Sequence, residues 1–166
     1  NLQFSFTLAT LGASDGSYGG VNSLGNTVVN AVKGSGLNHY VINLMTMDYG
    51  SGASSSICAV SGSTFQMAQS AIQAVKNLEH TYGIAASKIA VTPMIGMNDA
   101  TSEVFSIADV NTLSSYAVSN GLAGLHFWSL DRDTPCSYDY ASPTCNSISS
   151  TTALEYTKAF LSDLGD

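Results

Sequence analysis

Apolar positions along the chain switch four times between two spacings. Leu2–Thr10 (LQFSFTLAT) is rich in Phe, Leu and Thr and predicts a first strand. After a stretch rich in Gly, Ser and Asp, Leu24, Val28, Ala31 and Val32 recur at helical spacing. They predict a helix over Leu24–Val32, ended by Gly34 and Gly36. Tyr40–Tyr49 (YVINLMTMDY) predicts the second strand. The Gly/Ser-rich loop Gly50–Ser63 leads into a helix over Phe65–Tyr82, whose Met67, Ala68, Ala71, Ile72, Val75 and Leu78 share one face. Ile89–Met97 (IAVTPMIGM) predicts the third strand. The third helix spans Val110–Asn120, with Asp109 as its N-cap and Gly121 as its stop. Leu122–Leu130 (LAGLHFWSL) predicts the fourth strand, and a helix near Thr152–Leu164 follows.

Strands alternating with helices imply an α/β fold with a parallel sheet covered by helices. The near-continuous apolar runs of the second, third and fourth strands suit strands buried on both faces. Each βα unit takes about forty residues and a closed (β/α)8 barrel about 250, so four units amount to half a barrel. Residues 1–166 are expected to form a single half-barrel domain.

Composition narrows the classes of partner. Of 166 residues, 45% are hydrophobic and 10% charged, which suits one folded core rather than disorder. No apolar run is long enough to span a bilayer, so no membrane association is expected. Five Lys+Arg against twelve Asp+Glu give a net charge of −7, which argues against nucleic acid, whose affinity rests on basic residues neutralising phosphates. Ser, Thr, Asn and Gly do the solubilising, a composition that leans toward an extracellular protein. The chain starts at Asn1 rather than Met. Either a leader has been removed or the chain is a piece of a longer one. Cys136 and Cys145 lie close together in a turn-rich loop and are expected to form a disulfide in an oxidising compartment, with a secreted location. Cys58 is left over, either buried as a small apolar residue or parted from a partner outside this chain. No Cys/His spacing resembles a zinc site, and no cofactor is expected.

In parallel βα architectures the chemistry sits where strands end. Those ends read Asn43-Leu44-Met45-Thr46-Met47-Asp48-Tyr49-Gly50, Thr92-Pro93-Met94-Ile95-Gly96-Met97-Asn98-Asp99 and His126-Phe127-Trp128-Ser129-Leu130-Asp131-Arg132-Asp133. Together they resemble the sixth, seventh and eighth strands of family 18 glycoside hydrolases, the chitinases. Ser5-Phe6-Thr7-Leu8 is similar to the fifth. The resemblance implies the C-terminal half of the catalytic barrel and a chitin-type oligosaccharide as ligand. It assigns Met47 and Tyr49 to the Met-x-Tyr of the sixth strand, with the Tyr hydroxyl facing the sugar's acetamido group. It makes Trp128 the hydrophobic floor under that sugar. Asn98 and Asp131 are further substrate-binding candidates. Strand alternation puts Asn43, Met45, Met47 and Tyr49 on one face and Asp48 on the other, where a structural role suits it. Trp128 also reads as a plain core aromatic, Tyr49 as a strand-end Tyr with its hydroxyl in water, and the methionines as barrel filler. Asp99, Asp131 and Asp133 either line the sugar groove or pin loops. Arg132, between two aspartates, reads most simply as a local salt bridge.

The family's Asp-x-x-Asp-x-Asp-x-Glu string, whose last Glu is the general acid, is absent from this chain. Glu79 and Glu155 lie in predicted helices and Glu103 in a loop, none with a second carboxylate at the required spacing. Family 18 enzymes use the substrate's acetamido oxygen as nucleophile but still need that acid. No catalytic residue is therefore assigned, and the chain alone is expected to be inactive. A half barrel also leaves two sheet edges and an inner face bare. Phe4, Phe6 and Leu8 flank one edge and Leu125, Phe127 and Leu130 the other. A homodimer or a complementary N-terminal half-barrel fragment is the expected partner. The competing reading is a non-catalytic chitin- or N-acetylglucosamine-binding protein of lectin-like, defence or cytotoxic type.

Overall fold

β1 (Phe4–Ala9) and β2 (Tyr40–Met45) pair in parallel over their whole lengths, Phe4 opposite Tyr40 and Ala9 opposite Met45. The computed structural model describes residues 2–165, so Asn1 and Asp166, the ends of the expected domain, lie outside the described residues. α1 (Ser23–Gly34) joins the two strands. Asn22 caps it by accepting a hydrogen bond from the Gly25 amide at 2.9 Å. A short antiparallel hairpin, β3 (Val60–Ser61) and β4 (Thr64–Phe65), spans the end of the predicted loop and takes Phe65, so α2 (Met67–Tyr82) starts two residues later than expected. β5 (Ile89–Thr92) then pairs in parallel with β2.

The predicted third strand divides after Thr92. Pro93, which has no N–H for the ladder, follows it. Gly96–Met97 forms β6, which turns into an antiparallel pair with β7 (Val104–Phe105). α3 runs Ile107–Asn120 and begins three residues earlier than expected. Ser106 is its N-cap, and Asp109 sits at the third helical position, where its carboxylate accepts from the Ser106 amide in a capping box. The other Asp109 oxygen accepts from the Ala68 amide at 3.0 Å, so one carboxylate serves the first turns of α2 and α3 together. The fourth predicted strand shrinks to β8 (Gly124–Leu125), paired in parallel with β5, and α4 spans Glu155–Leu164.

The main sheet has the order β1-β2-β5-β8, all parallel, with four helices among the described residues. Its side chains sort by strand alternation. Leu8, Ile42, Leu44, Ile89 and Val91 point into a core completed by Val29, Val32, Leu78, Leu113, Tyr156 and Phe160 from the helices. Cys58 is fully buried in the same core as a free thiol, and Cys136 is bonded to Cys145. No helix among the described residues is long and apolar enough to cross a membrane.

Candidate functional site

The other face of the sheet is polar where it is closely packed. Asn43 on β2 donates to the Thr7 hydroxyl of β1 at 3.2 Å and accepts from the Thr92 hydroxyl of β5 at 2.9 Å. This three-strand ladder floors a groove of about 560 Å³. Met45, Met47, Met94 and Trp128 supply its apolar surface, Asp48, Asp99 and Arg132 its charge, and Ala141, Ser142 and Pro143 one wall. Trp128 is 56% exposed and so is not a core aromatic. Its backbone N–H donates to Pro93 O and its carbonyl accepts from Ile95 N, which fixes the ring's base to the end of β5.

The alternation expected along β2 holds from Asn43 through Met47 and then breaks. Asp48 adopts a left-handed backbone, φ 51°, so Met47 and Asp48 both reach the groove and Tyr49 turns into the core. Aspartate tolerates this conformation because its short side chain bonds locally. Here Asp48 Oδ1 accepts from the Asp99 amide at 2.9 Å and the Asp48 amide donates to Asn98 Oδ1 at 3.3 Å. Two expectations are thereby corrected. Asp48 lines the groove instead of lying behind it, and Tyr49, only 6% exposed, has neither the groove nor water at its hydroxyl. Among the described residues that hydroxyl has no hydrogen-bond partner. Burial, helped by the nearby Glu103 and Cys58, raises its pKa well above the ordinary phenol value.

Asn98 is fully buried and structural in its contacts: its amide nitrogen donates to Met94 O and Gly96 O. Asp131 is exposed on the helical turn Leu130–Arg132 and does not line the groove. Asp133 pins a loop, accepting from the Tyr156 and Thr157 amides at the start of α4. Arg132 is 1% exposed and spends its guanidinium on backbone rather than on its flanking aspartates. It donates to Ile95 O, Met97 O and Ser142 O. Burial presses its pKa down, opposed by the Asp99 and Asp48 carboxylates. Sequence reasoning missed Asp48 and Arg132 as the polar groups of the site. The only local signal was an Asp followed by Tyr-Gly at a strand end.

Glu103 is fully buried and its two oxygens accept from the Tyr49 amide at 3.1 Å and the Gly50 amide at 2.9 Å. It holds the turn that aims Asp48 and does not line the groove. Burial raises its pKa, against the opposing pull of those amides, and burial likewise raises that of Asp48, opposed by the hydrogen bond from the Asp99 amide and helped by the Asp99 carboxylate. A carboxyl held above its ordinary value stabilises the fold when protonated, fully below that value, and loses the contribution as pH rises through the raised one. Glu103→Gln removes one such carboxyl. In urea titrations from about pH 4 to pH 7, the wild type should lose stability relative to Glu103→Gln as pH rises from the ordinary 4.5 upward. Parallel curves would contradict this assignment.

Among the described residues, no three His, Cys, Asp or Glu side chains are grouped to hold a metal. The groove instead offers an exposed aromatic face beside two carboxylates. That pairing suits an uncharged ring with apolar C–H faces and with hydroxyl or amide donors at its rim.

The chain matches no family model. It is 30% identical over 128 residues to endochitinase 11 of Metarhizium anisopliae, covering 70% of this chain and 24% of that protein. It is 30% identical over 127 residues to the probable bifunctional chitinase/lysozyme of Escherichia coli (strain K12), covering 70% of this chain and 14% of that one. The catalytic domain of a hyperthermophilic chitinase from Pyrococcus furiosus superposes with a TM-score of 0.75 at 25% identity, over 99% of this chain and 51% of that one. The same chitinase's active domain 2, as a catalytic-site mutant complexed with chito-oligosaccharides, superposes at 0.74 with 24% identity. The chain thus spans about half of the solved domains and a quarter or less of the curated relatives. Fold and groove together define a relative of the glycoside hydrolases. Within them, the chain is a chitinase-like relative of family 18.

Proposed function

We propose that the chain forms the C-terminal half of a family 18 chitinase barrel and seats a chito-oligosaccharide in the groove over Trp128. The observation that carries this reading is the groove itself. It opens at the C-terminal ends of parallel strands, where (β/α)8 enzymes keep their sites, and presents an exposed Trp beside Met47 and Asp48. Coverage of 51% of the Pyrococcus domain by 99% of this chain supports the half-barrel reading. So do the unpaired outer edge of β1 and the open apolar groove of about 610 Å³ between β1 and α1, lined by Phe4, Phe6, Val32 and Leu37. An N-terminal half would cover that edge and bring the missing acid; a second copy of this chain would cover it without one. The Cys136–Cys145 disulfide supports an extracellular setting.

In this reading Trp128 packs against the apolar face of the sugar and the Asp48 and Asp99 carboxylates take hydrogen bonds from its amide and hydroxyl groups. Without a carboxylic acid aimed at the glycosidic oxygen, the chain alone holds the sugar without cleaving it. Loss of general acid catalysis costs about 10²- to 10⁴-fold in rate. The test is calorimetric titration of N-acetylglucosamine oligomers into the wild type and Trp128→Ala, with reducing-end release measured in parallel. Trp128→Ala should weaken binding by about tenfold or more, since it removes the aromatic platform, and neither protein should release sugar on its own. Equal binding by the two proteins removes the groove reading. Turnover by the isolated wild-type chain removes the claim that the acid lies elsewhere.

A further inference from the structure

We propose that Tyr138 and Tyr140 form a second sugar platform, which receives the units of a chito-oligosaccharide that extend beyond the Trp128 groove. The inference rests on the groove reading and adds to it a site outside the groove lining, on the disulfide-closed segment that also walls the groove. The two rings stack on each other with centroids 4.9 Å apart and planes 9° apart, yet they are 48% and 53% exposed. Two large aromatic side chains that pair in solvent leave their outer faces free for a ligand.

The segment carrying them is tied down at several points. The Cys136–Cys145 disulfide closes it. The Ser147 hydroxyl donates to Tyr140 O at 2.6 Å, and buried Arg132 donates to Ser142 O. The backbone that carries the rings is therefore held in place before any ligand arrives, and the rings brace each other, which lowers the ordering cost of binding. The segment also runs directly into the groove: Ala141, Ser142 and Pro143 are its wall, and Tyr140 is bonded to the first of them. One covalent step, about 3.8 Å between Cα atoms, separates the platform from that wall.

The chemistry selects the ligand. Tyrosine faces match the C–H faces of pyranose rings and their hydroxyls match the polar rim, while Asp139 between them offers an acceptor for a hydroxyl or amide donor. A chain of net charge −7 with an aspartate at this point disfavours an anionic ligand. A longer neutral N-acetylglucosamine oligomer fits on both counts.

The experiment titrates oligomers of increasing length, from dimer to hexamer, into the chain and its Tyr138→Ala/Tyr140→Ala and Tyr138→Phe/Tyr140→Phe variants. Wild-type affinity should rise with length. The alanine variant should bind the shortest oligomers as the wild type does and lose about three- to tenfold for the longest, the phenylalanine variant retaining most of the gain. An unchanged length dependence in the alanine variant overturns the platform while leaving the groove intact. An equal loss at every length also overturns it, because the tyrosines would then act by holding the groove wall. Absence of binding by the wild type at any length removes the groove reading, and this one with it.

Discussion

Replacing Arg132 by methionine should lower the stability of the fold by about 3–5 kcal/mol, read as a shift in the midpoint of urea unfolding. The side chain is 1% exposed, and its guanidinium is the common partner of the Ile95, Met97 and Ser142 carbonyls. Methionine fills much of the volume but leaves three carbonyls without this donor, those of Ile95 and Ser142 in buried surroundings. It also frees the groove wall at Ser142 from the end of β5. Arg132→Lys separates geometry from charge. A lysine ammonium is a compact point charge and does not reproduce a planar fork that spans diverging carbonyls. The lysine variant should therefore still lose about 2 kcal/mol or more. A lysine variant as stable as the wild type would show that charge alone suffices.

The second large effect is expected at Gly96, between two of those carbonyls. Its φ is +70°, and a Cβ there would run into the backbone oxygen of Asn146, which itself accepts from the Met97 amide at 2.9 Å. Neither backbone can yield without breaking that bond and the Arg132 contacts on either side. Gly96→Ala should cost about 4 kcal/mol or more, enough to bring a typical domain near unfolding. Gly83, which ends α2, has a similar φ of +63° and open space where its Cβ would be. Gly83→Ala should lose only about 1–2 kcal/mol, the left-handed backbone cost alone. Thermal unfolding of the two variants checks the difference, and equal losses would show that the Asn146 contact carries no weight.

What the sequence reveals here depends on range. The four βα units follow from local spacing, and all four are present because each strand and helix buries one apolar face. Strand lengths were overestimated at Tyr40–Tyr49, Ile89–Met97 and Leu122–Leu130. Apolar residues continue past each strand end, where the backbones still exchange isolated hydrogen bonds, such as Trp128 N–H to Pro93 O and Ile95 N–H to Trp128 O, but no longer form an unbroken ladder. Trp128 and Met47 were recoverable as groove residues because they sit at strand ends. Tyr49 was not, since one left-handed residue shifts every later side chain to the other face. The role of Arg132 was invisible for a different reason. Its partners lie 10 to 37 residues away in sequence and are backbone atoms, which leave no mark on residue type.

The attachment of α4 has a bearing on how the polypeptide matures. Asp133 caps its first turn, the Tyr156 hydroxyl donates to Phe105 O at 2.9 Å, and the Phe160 ring stacks on Phe127 with centroids 5.5 Å apart. These contacts are made by residues that leave the ribosome after the partners they pack on. Until residues 155–164 emerge, the surface they cover beside β8 is bare and Asp133 has no helix to cap. α4 thus docks only after the sheet it covers has emerged, and a chaperone that shields apolar surface has an opportunity on this surface before residue 160 clears the exit tunnel.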